Sequence, residues 1–258
     1  MTDYRTNNVT LNLEDDIARL TITRPEVQNA IDTETTLDIR RALGTVQLDP
    51  SIDALIITGS GENAFSSGAD ISQHAGEADK RFQMSRIQAF DGMCQDFRQL
   101  HAPVIARING HCVGGGLGIA LFSDIRVGLT NAKFGIPPTK IGEIPSGGSV
   151  FRMVELIGET RAKNLLLTAD LVNGTRAAEI GLIDRVVDGE AALDEEVDDI
   201  VLAIQEGGAG AVKRAKTLIN EAADTTNEAD FEDVATELWW EQFDSEERKR
   251  LVDEFLDS

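Results

Sequence analysis

The chain has 258 residues, 41% of them apolar and 27% charged, proportions that support a buried core and exclude general disorder. The 45 acidic and 24 basic residues leave a net charge of −21, which repels phosphate backbones and makes nucleic acid a poor partner. Two cysteines, Cys94 and Cys112, are too few for a disulfide framework or a zinc cluster; no apolar run approaches the roughly 20 residues of a membrane span, and the N-terminus lacks the features of a signal peptide, so a cytoplasmic protein without metal or membrane contact is expected.

Alternation places Val9, Leu11 and Leu13 on one strand face, and Ile17, Leu20 and Ile22 return after an Asp15-Asp16 turn, which predicts a hairpin. Asp32 suits the N-cap of a helix over 33–48 with Leu37, Ala42 and Val46 inward, stopped by Asp49-Pro50. The apolar run from Ala54 to Thr58 predicts a buried strand. Residues 60–78, rich in Gly, Ser, Asn and Asp, predict a loop, and a helix from 79 to about 100 follows with Phe82, Ile87, Phe90 and Phe97 inward. A second buried strand over 103–108 runs into Asn109-Gly110-His111-Cys112-Val113-Gly114-Gly115-Gly116; a helix over 117–123 and a third strand over 124–128 come next. Beyond these, helices are predicted over 147–157, 160–169, 175–180, 190–206, 209–224 and 228–242. The order is that of an α/β chain with helices gathered at its end, and no internal repeat of 20–50 residues interrupts it.

Charge follows the same division, since residues 190–258 hold 21 acids and 6 bases. With 7 lysines against 17 arginines, the acid-rich surface resembles those of halophilic proteins from salt-saturated cytosols, where a Debye length of roughly 3 Å at 1 M salt removes most self-repulsion. An acidic protein of ordinary habitat is the alternative.

Three consecutive glycines between a strand and a helix allow close backbone approach and aim unpaired N–H groups at an oxyanion or phosphate, with the helix dipole adding positive potential. Neither a Gly-Lys-Ser/Thr sequence nor Gly-x-Gly-x-x-Gly spacing is present, so the common nucleotide loops do not apply. A packing turn without ligand is the alternative. The segment Ala64-Phe65-Ser66-Ser67-Gly68-Ala69-Asp70-Ile71 also follows a buried strand. In a parallel sheet both loops reach the carboxyl edge, where ligands bind.

Together with the segment from Phe134 to Gly148, these stretches resemble the crotonase superfamily, which includes enoyl-CoA hydratases and isomerases. The resemblance extends over most of the chain. It is supported by Arg24-Pro25-Glu26-Val27-Gln28-Asn29-Ala30, Ser67-Gly68-Ala69-Asp70-Ile71, Asn109 through Gly116, Ser123-Asp124-Ile125-Arg126, and Ala177 through Val187, in the family's order and spacing. It implies a crotonase-like core of repeated β-β-α turns over 1–189 that carries the site, and a helical region over 190–258 that assembles homotrimers, often paired into hexamers. It also implies an acyl-CoA thioester as substrate and no separate cofactor, coenzyme A being part of that substrate. Arg24, Val27, Ser67, Ala69, Asp70, Ile71 and Gly115 are the implied ligand-binding set. Carried over by position, the amides of Ala69 and Gly115 form an oxyanion hole for a thioester enolate, where one fixed donor contributes roughly 3 kcal/mol to a barrier.

Two positions depart from the family's hydratases, which use a pair of glutamates to hold water and move protons. One belongs where this chain has Gly118, the other where it has Pro138. The expected reaction is therefore isomerisation, decarboxylation or thioester hydrolysis rather than ordinary hydration; the alternative is a non-catalytic CoA-binding or scaffolding homologue. Subfamilies that work with a tyrosine are excluded by count, because Tyr4, in the N-terminal tail, is the only one.

Five residues remain as candidate working groups: Glu143, His74, Ser146, His111 and Asp70. Glu143 is the only carboxylate on the segment that lines the acyl pocket in relatives and acts as a base if burial raises its pKa; a solvent-facing or interface glutamate is the alternative. His74 carries an imidazole suited to proton transfer near neutral pH, with a solvated loop histidine as its alternative. Ser146 stands where some relatives hold an acid. His111 is expected in the core or at an interface, and Asp70 as an acceptor of backbone hydrogen bonds. Arg24 and Lys140 are candidates for the CoA phosphates. One of Trp239 and Trp240 is expected to enter the local core, the pair packing at the trimer interface.

Overall fold

The computed structural model describes residues 4–73, 79–225 and 228–256. Strands β1 (Tyr4–Arg5), β2 (Val9–Glu14) and β3 (Ile17–Ile22) pair antiparallel. Asp15 and Asp16, both at positive φ (49° and 60°), make the turn a two-residue hairpin requires. Helix α1 (Thr33–Gln47), whose N-cap Asp32 accepts from the Thr35 N–H, leads to β4 (Ala54–Gly59), β5 (Ala64–Ser66) and α2 (Lys80–Gln99). Two more units follow: β6 (Val104–Ile108), β7 (His111–Val113) and α3 (Gly115–Phe122), then β8 (Ile125–Leu129), β9 (Lys133–Gly135) and α4 (Gly147–Ile157). Next come α5 (Glu159–Thr168), β10 (Val172–Asn173), α6 (Gly174–Glu179) and β11 (Arg185–Val187), and last α7 (Glu190–Glu206), α8 (Ala209–Asp224), α9 (Glu228–Phe243) and α10 (Glu246–Leu256).

The strands form a larger sheet in the order β1-β2-β3-β4-β6-β8-β11 and a smaller one in the order β10-β9-β7-β5. The pairs β4/β5, β6/β7 and β8/β9 each give their first strand to the larger sheet and their second to the smaller, and a helix follows each pair. This is the repeated β-β-α turn expected of an α/β crotonase-like core.

Strands β4 and β6 are buried at every position, the reason their sequences read as apolar runs interrupted only by Thr58 and Arg107. The smaller sheet has no such signature: β5, β7 and β9 have three residues each, too few for alternation to register. Two of them lie inside segments whose glycines and polar residues read as loop and turn. Leu37, Phe82 and Ile87, expected inward, are 41%, 48% and 41% exposed; α1 instead buries Ile39, Ala42, Leu43 and Val46, and α2 buries Met93, Cys94 and Phe97 in its second half. Tyr4 lies in β1 and not in a tail, its hydroxyl donating to Asp38 (3.4 Å).

Much of the family-like sequence holds this frame together. Asn109 Oδ1 accepts from Gly59 N and Thr58 Oγ1 (3.2 Å each), and its Nδ2 donates to the Gly61 carbonyl (2.6 Å). Arg126, buried in β8, pairs with Asp184 (2.7 Å) and donates to the Ser123 carbonyl (2.7 Å). Lys216 of α8, also buried, reaches Asp124 (2.7 Å) and the Ala102 carbonyl (3.0 Å), which fixes that helix to the core. Burial lowers the Lys216 pKa, and Asp124 opposes the shift. None of the described helices is long and apolar enough to cross a membrane.

Candidate active site

Strands β5 and β7 are parallel neighbours, with Ala64 opposite His111 and Ser66 opposite Cys112. Their C-terminal turns, Ser67-Gly68-Ala69 and Gly114-Gly115, therefore leave the smaller sheet at the same edge. The turns touch: a Cβ on Gly68 (φ +100°) would stand 2.9 Å from both the Gly115 nitrogen and the Val113 carbonyl oxygen, so only glycine fits there. Ile31 N donates to the Gly68 carbonyl (2.8 Å) and Asp70 N to the Ile31 carbonyl (3.0 Å). Because peptide groups alternate in such a bridge, the Ala69 N–H between them faces away from Ile31. It lies 3.5 Å from where a Gly115 Cβ would be.

Gly115 is the first residue of α3, where an N–H has no intrahelical acceptor. Its turn is pinned by Gly114 N to the Gly135 carbonyl (2.9 Å) and by Gly118 N to the Gly114 carbonyl (3.0 Å). No hydrogen bond of the described residues uses the N–H of Ala69 or of Gly115. Two adjacent free donors at the start of a helix form a place for negative charge.

Around this pair lie Gly118 and Pro138, the two positions at which the resemblance implies glutamates in hydratases. A Cβ on Gly118 would stand 2.8 Å from Ser149 Oγ and 3.1 Å from Phe90 Cζ. Pro138 begins a 3-10 turn over Pro138–Ile141. Ser146 caps α4, its Oγ accepting from Ser149 N (3.4 Å) and donating to Ser149 Oγ (2.9 Å). Glu143 is half-buried, its N–H donating to the Pro138 carbonyl (3.0 Å). Its charge raises the pKa of Arg86 of α2 against the stronger, opposite effect of burial. His74 lies outside the described residues.

Sequence reasoning missed Phe90 as a site residue, and with it Ser149 and Asp91. Asp91 Oδ1 is buried without a hydrogen-bond partner among the described residues, 3.1 Å from where a Cβ on Gly148 would be. No local pattern marks these three, because α2, α3 and α4 meet only in the folded chain.

The implied ligand-binding residues lie together, since Ser67 N donates to the Gln28 carbonyl (2.9 Å) and Ser67 Oγ to the Val27 carbonyl (3.4 Å). Val27 and Ile71 are 40% and 61% exposed. Arg24, a candidate for the CoA phosphates, pairs with Asp32 and Asp70 (3.1 Å each) and donates to the Ala30 carbonyl (2.6 Å). Asp70 accepts from the Ser72 hydroxyl (2.6 Å) and N–H (3.1 Å). The Ser72 hydroxyl, with Arg24, holds the Asp70 carboxyl below its usual pKa against the effect of burial. Lys140 is exposed. His111 is exposed too, and its Nδ1 accepts from Lys133 N (3.2 Å). Both cysteines are buried, and burial pushes their thiols up, which leaves them without nucleophilic character near neutral pH. Among the described residues no group of three or more His, Cys, Asp and Glu is placed to hold a metal ion.

Residues 12–258 match the family model described as enoyl-CoA hydratase/isomerase. The chain belongs to the enoyl-CoA hydratase/isomerase family. It is 38% identical over 222 residues to the crotonyl-CoA hydratase of Syntrophomonas wolfei, covering 84% of this chain and 83% of the relative. Over 262 residues it is 32% identical to the short-chain-enoyl-CoA hydratase of Clostridium acetobutylicum, covering 97% and 95%. Among solved structures, an enoyl-CoA hydratase from Bacillus anthracis superposes with a TM-score of 0.91 at 25% identity, covering 97% of this chain and 96% of that one. As a member of the enoyl-CoA hydratase/isomerase family, the chain is an acyl-CoA enzyme with the crotonase fold.

Proposed function

We propose that the chain binds an acyl-CoA thioester with its carbonyl oxygen on the N–H groups of Ala69 and Gly115 and stabilises the enolate formed there. The reaction completed there is double-bond isomerisation or decarboxylation through that enolate, or thioester hydrolysis, in which the same two amides hold the tetrahedral oxyanion formed by water addition before the CoA thiolate leaves. The observation that carries this reading is the pair of unpartnered amides at the ends of two parallel strands. Donors fixed where charge develops need no reorganisation as it appears, which is the condition for selective stabilisation of the transition state. Ordinary hydration is disfavoured because water addition needs a held water and two proton transfers, while positions 118 and 138 bear no carboxylate and an aromatic ring and a serine border the first of them.

Hydration is a second reading, favoured by the names of the relatives; it would have to use Glu143 or Asp91. A panel of crotonyl-CoA, a 3-enoyl-CoA, a malonyl-type thioester and a saturated thioester, followed by mass detection of products, separates the readings. Conjugated product from the 3-enoyl-CoA, loss of carbon dioxide or release of free CoA is expected. A 3-hydroxyacyl product lost in Glu143→Gln or Asp91→Asn supports hydration, and binding without any product supports a scaffold.

Assembly into trimers, or pairs of trimers, through the C-terminal helices is part of the same proposal. Trp239 and Trp240 are 56% and 53% exposed, so neither enters the local core; they cluster with Phe243, over which Arg248 lies (4.2 Å). Light scattering is expected to give three or six times the 28.0 kDa chain mass, and a monomer contradicts it.

A further inference from the structure

We propose that Phe90 is the specificity-determining residue of this site, its ring forming the wall that a catalytic acid at position 118 would otherwise supply. The inference rests on the acyl-CoA reading above. Gly115 and Gly118 are three residues apart on α3 and so share one face of the helix. The Phe90 ring, from α2, lies across both. Its Cε2 and Cζ stand 3.2 and 3.3 Å from where a Cβ on Gly115 would be, and its Cζ and Cε1 stand 3.1 and 3.2 Å from where one on Gly118 would be. The first of those points is 3.5 Å from the Ala69 nitrogen, so the ring borders the donor pair. Ser149 Oγ borders the other end, 2.8 Å from the Gly118 point.

Phe90 is half-buried, which leaves part of the side chain open to a ligand. Any side chain at 118 would start in contact with this ring and with the serine hydroxyl. The missing acid and the ring are therefore two aspects of one packing arrangement: glycine at 118 is what lets the ring lie there. An apolar ring holds no water beside the thioester, and its bulk limits what the acyl group carries at its first carbons. The site accordingly selects acyl groups that are unbranched at their first carbons.

The test is calorimetric binding of acetyl-, butyryl-, isobutyryl- and octanoyl-CoA to the wild type, Phe90→Ala and Phe90→Leu, each checked for folding by thermal denaturation. The wild type is expected to prefer butyryl-CoA over isobutyryl-CoA by about tenfold or more, the discrimination that a small apolar group supports in an apolar pocket. Phe90→Ala is expected to abolish the preference and Phe90→Leu to reduce it; if the alanine variant does not fold, the leucine variant decides alone. The same preference in wild type and variants overturns the inference and leaves the acyl-CoA reading standing. Failure of every thioester to bind the wild type overturns that reading, and the inference with it.

Discussion

Gly115→Pro is expected to lower turnover of the chain's acyl-CoA substrate by about 10²–10³-fold, the loss that follows removal of one oxyanion-hole donor. Proline deletes the N–H and puts its ring Cδ where the hydrogen pointed, so the oxygen loses both the donor and part of its space. Gly115 is the first residue of α3, the helical position proline tolerates best because no intrahelical acceptor is lost, and it is not among the residues at positive φ. The added Cβ would lie 3.2 Å from Phe90 Cε2, a side-chain atom with room to yield a few tenths of an ångström. Steady-state turnover measured beside circular dichroism decides the matter: full turnover with the fold intact contradicts a catalytic role for this amide.

Asn29→Ala is expected to cost about 3 kcal/mol or more of folding stability. The side chain is buried, with Oδ1 accepting from Arg24 N (3.0 Å) and Ser60 Oγ (3.2 Å) and Nδ2 donating to the carbonyls of Ser60 (2.9 Å) and Ala64 (2.8 Å). Alanine leaves the buried Ala64 carbonyl and the half-buried Arg24 N–H and Ser60 groups without these partners, at about 1–3 kcal/mol for the buried one and less for the others, and must hold a φ of 55°, which adds roughly 1 kcal/mol for a residue with a Cβ and no side-chain hydrogen bond. Urea unfolding measures the loss, and a change under about 1 kcal/mol contradicts this accounting. Because Ala64 begins β5, the strand that ends at the Ala69 turn, turnover is expected to fall as well.

These two residues also mark what is legible in the sequence. Most of the larger sheet is legible because β4 and β6 are largely apolar runs and β2 alternates cleanly; β1 and β11, of two and three residues, are not. Helices α1, α4, α7 and α8 have ends marked by caps, glycines or Asp49-Pro50 that place them within one or two residues. The smaller sheet is not legible, although it is what brings the Ala69 and Gly115 turns together; three-residue strands have no period. Ala69 and Gly115 emerge from the glycine pattern and the family resemblance, and the folded chain adds the reason they meet. Arg24 shows the reverse case: a cation among candidate ligand contacts reads as a phosphate binder, yet its partners are Asp32 and Asp70, the second of them 46 residues away in sequence. The ring of Phe90 is the part no sequence pattern reveals, because its place over Gly115 and Gly118 depends on how α2 and α3 cross.

The central claim is tested most directly by a crystal structure of the chain with an unreactive acyl-CoA analogue bound. The thioester oxygen is expected about 2.9 Å from both the Ala69 and the Gly115 nitrogens, within ordinary hydrogen-bond distance, with the first acyl carbons against Phe90. An oxygen held by only one of these amides, or an analogue seated elsewhere on the molecule, contradicts the account.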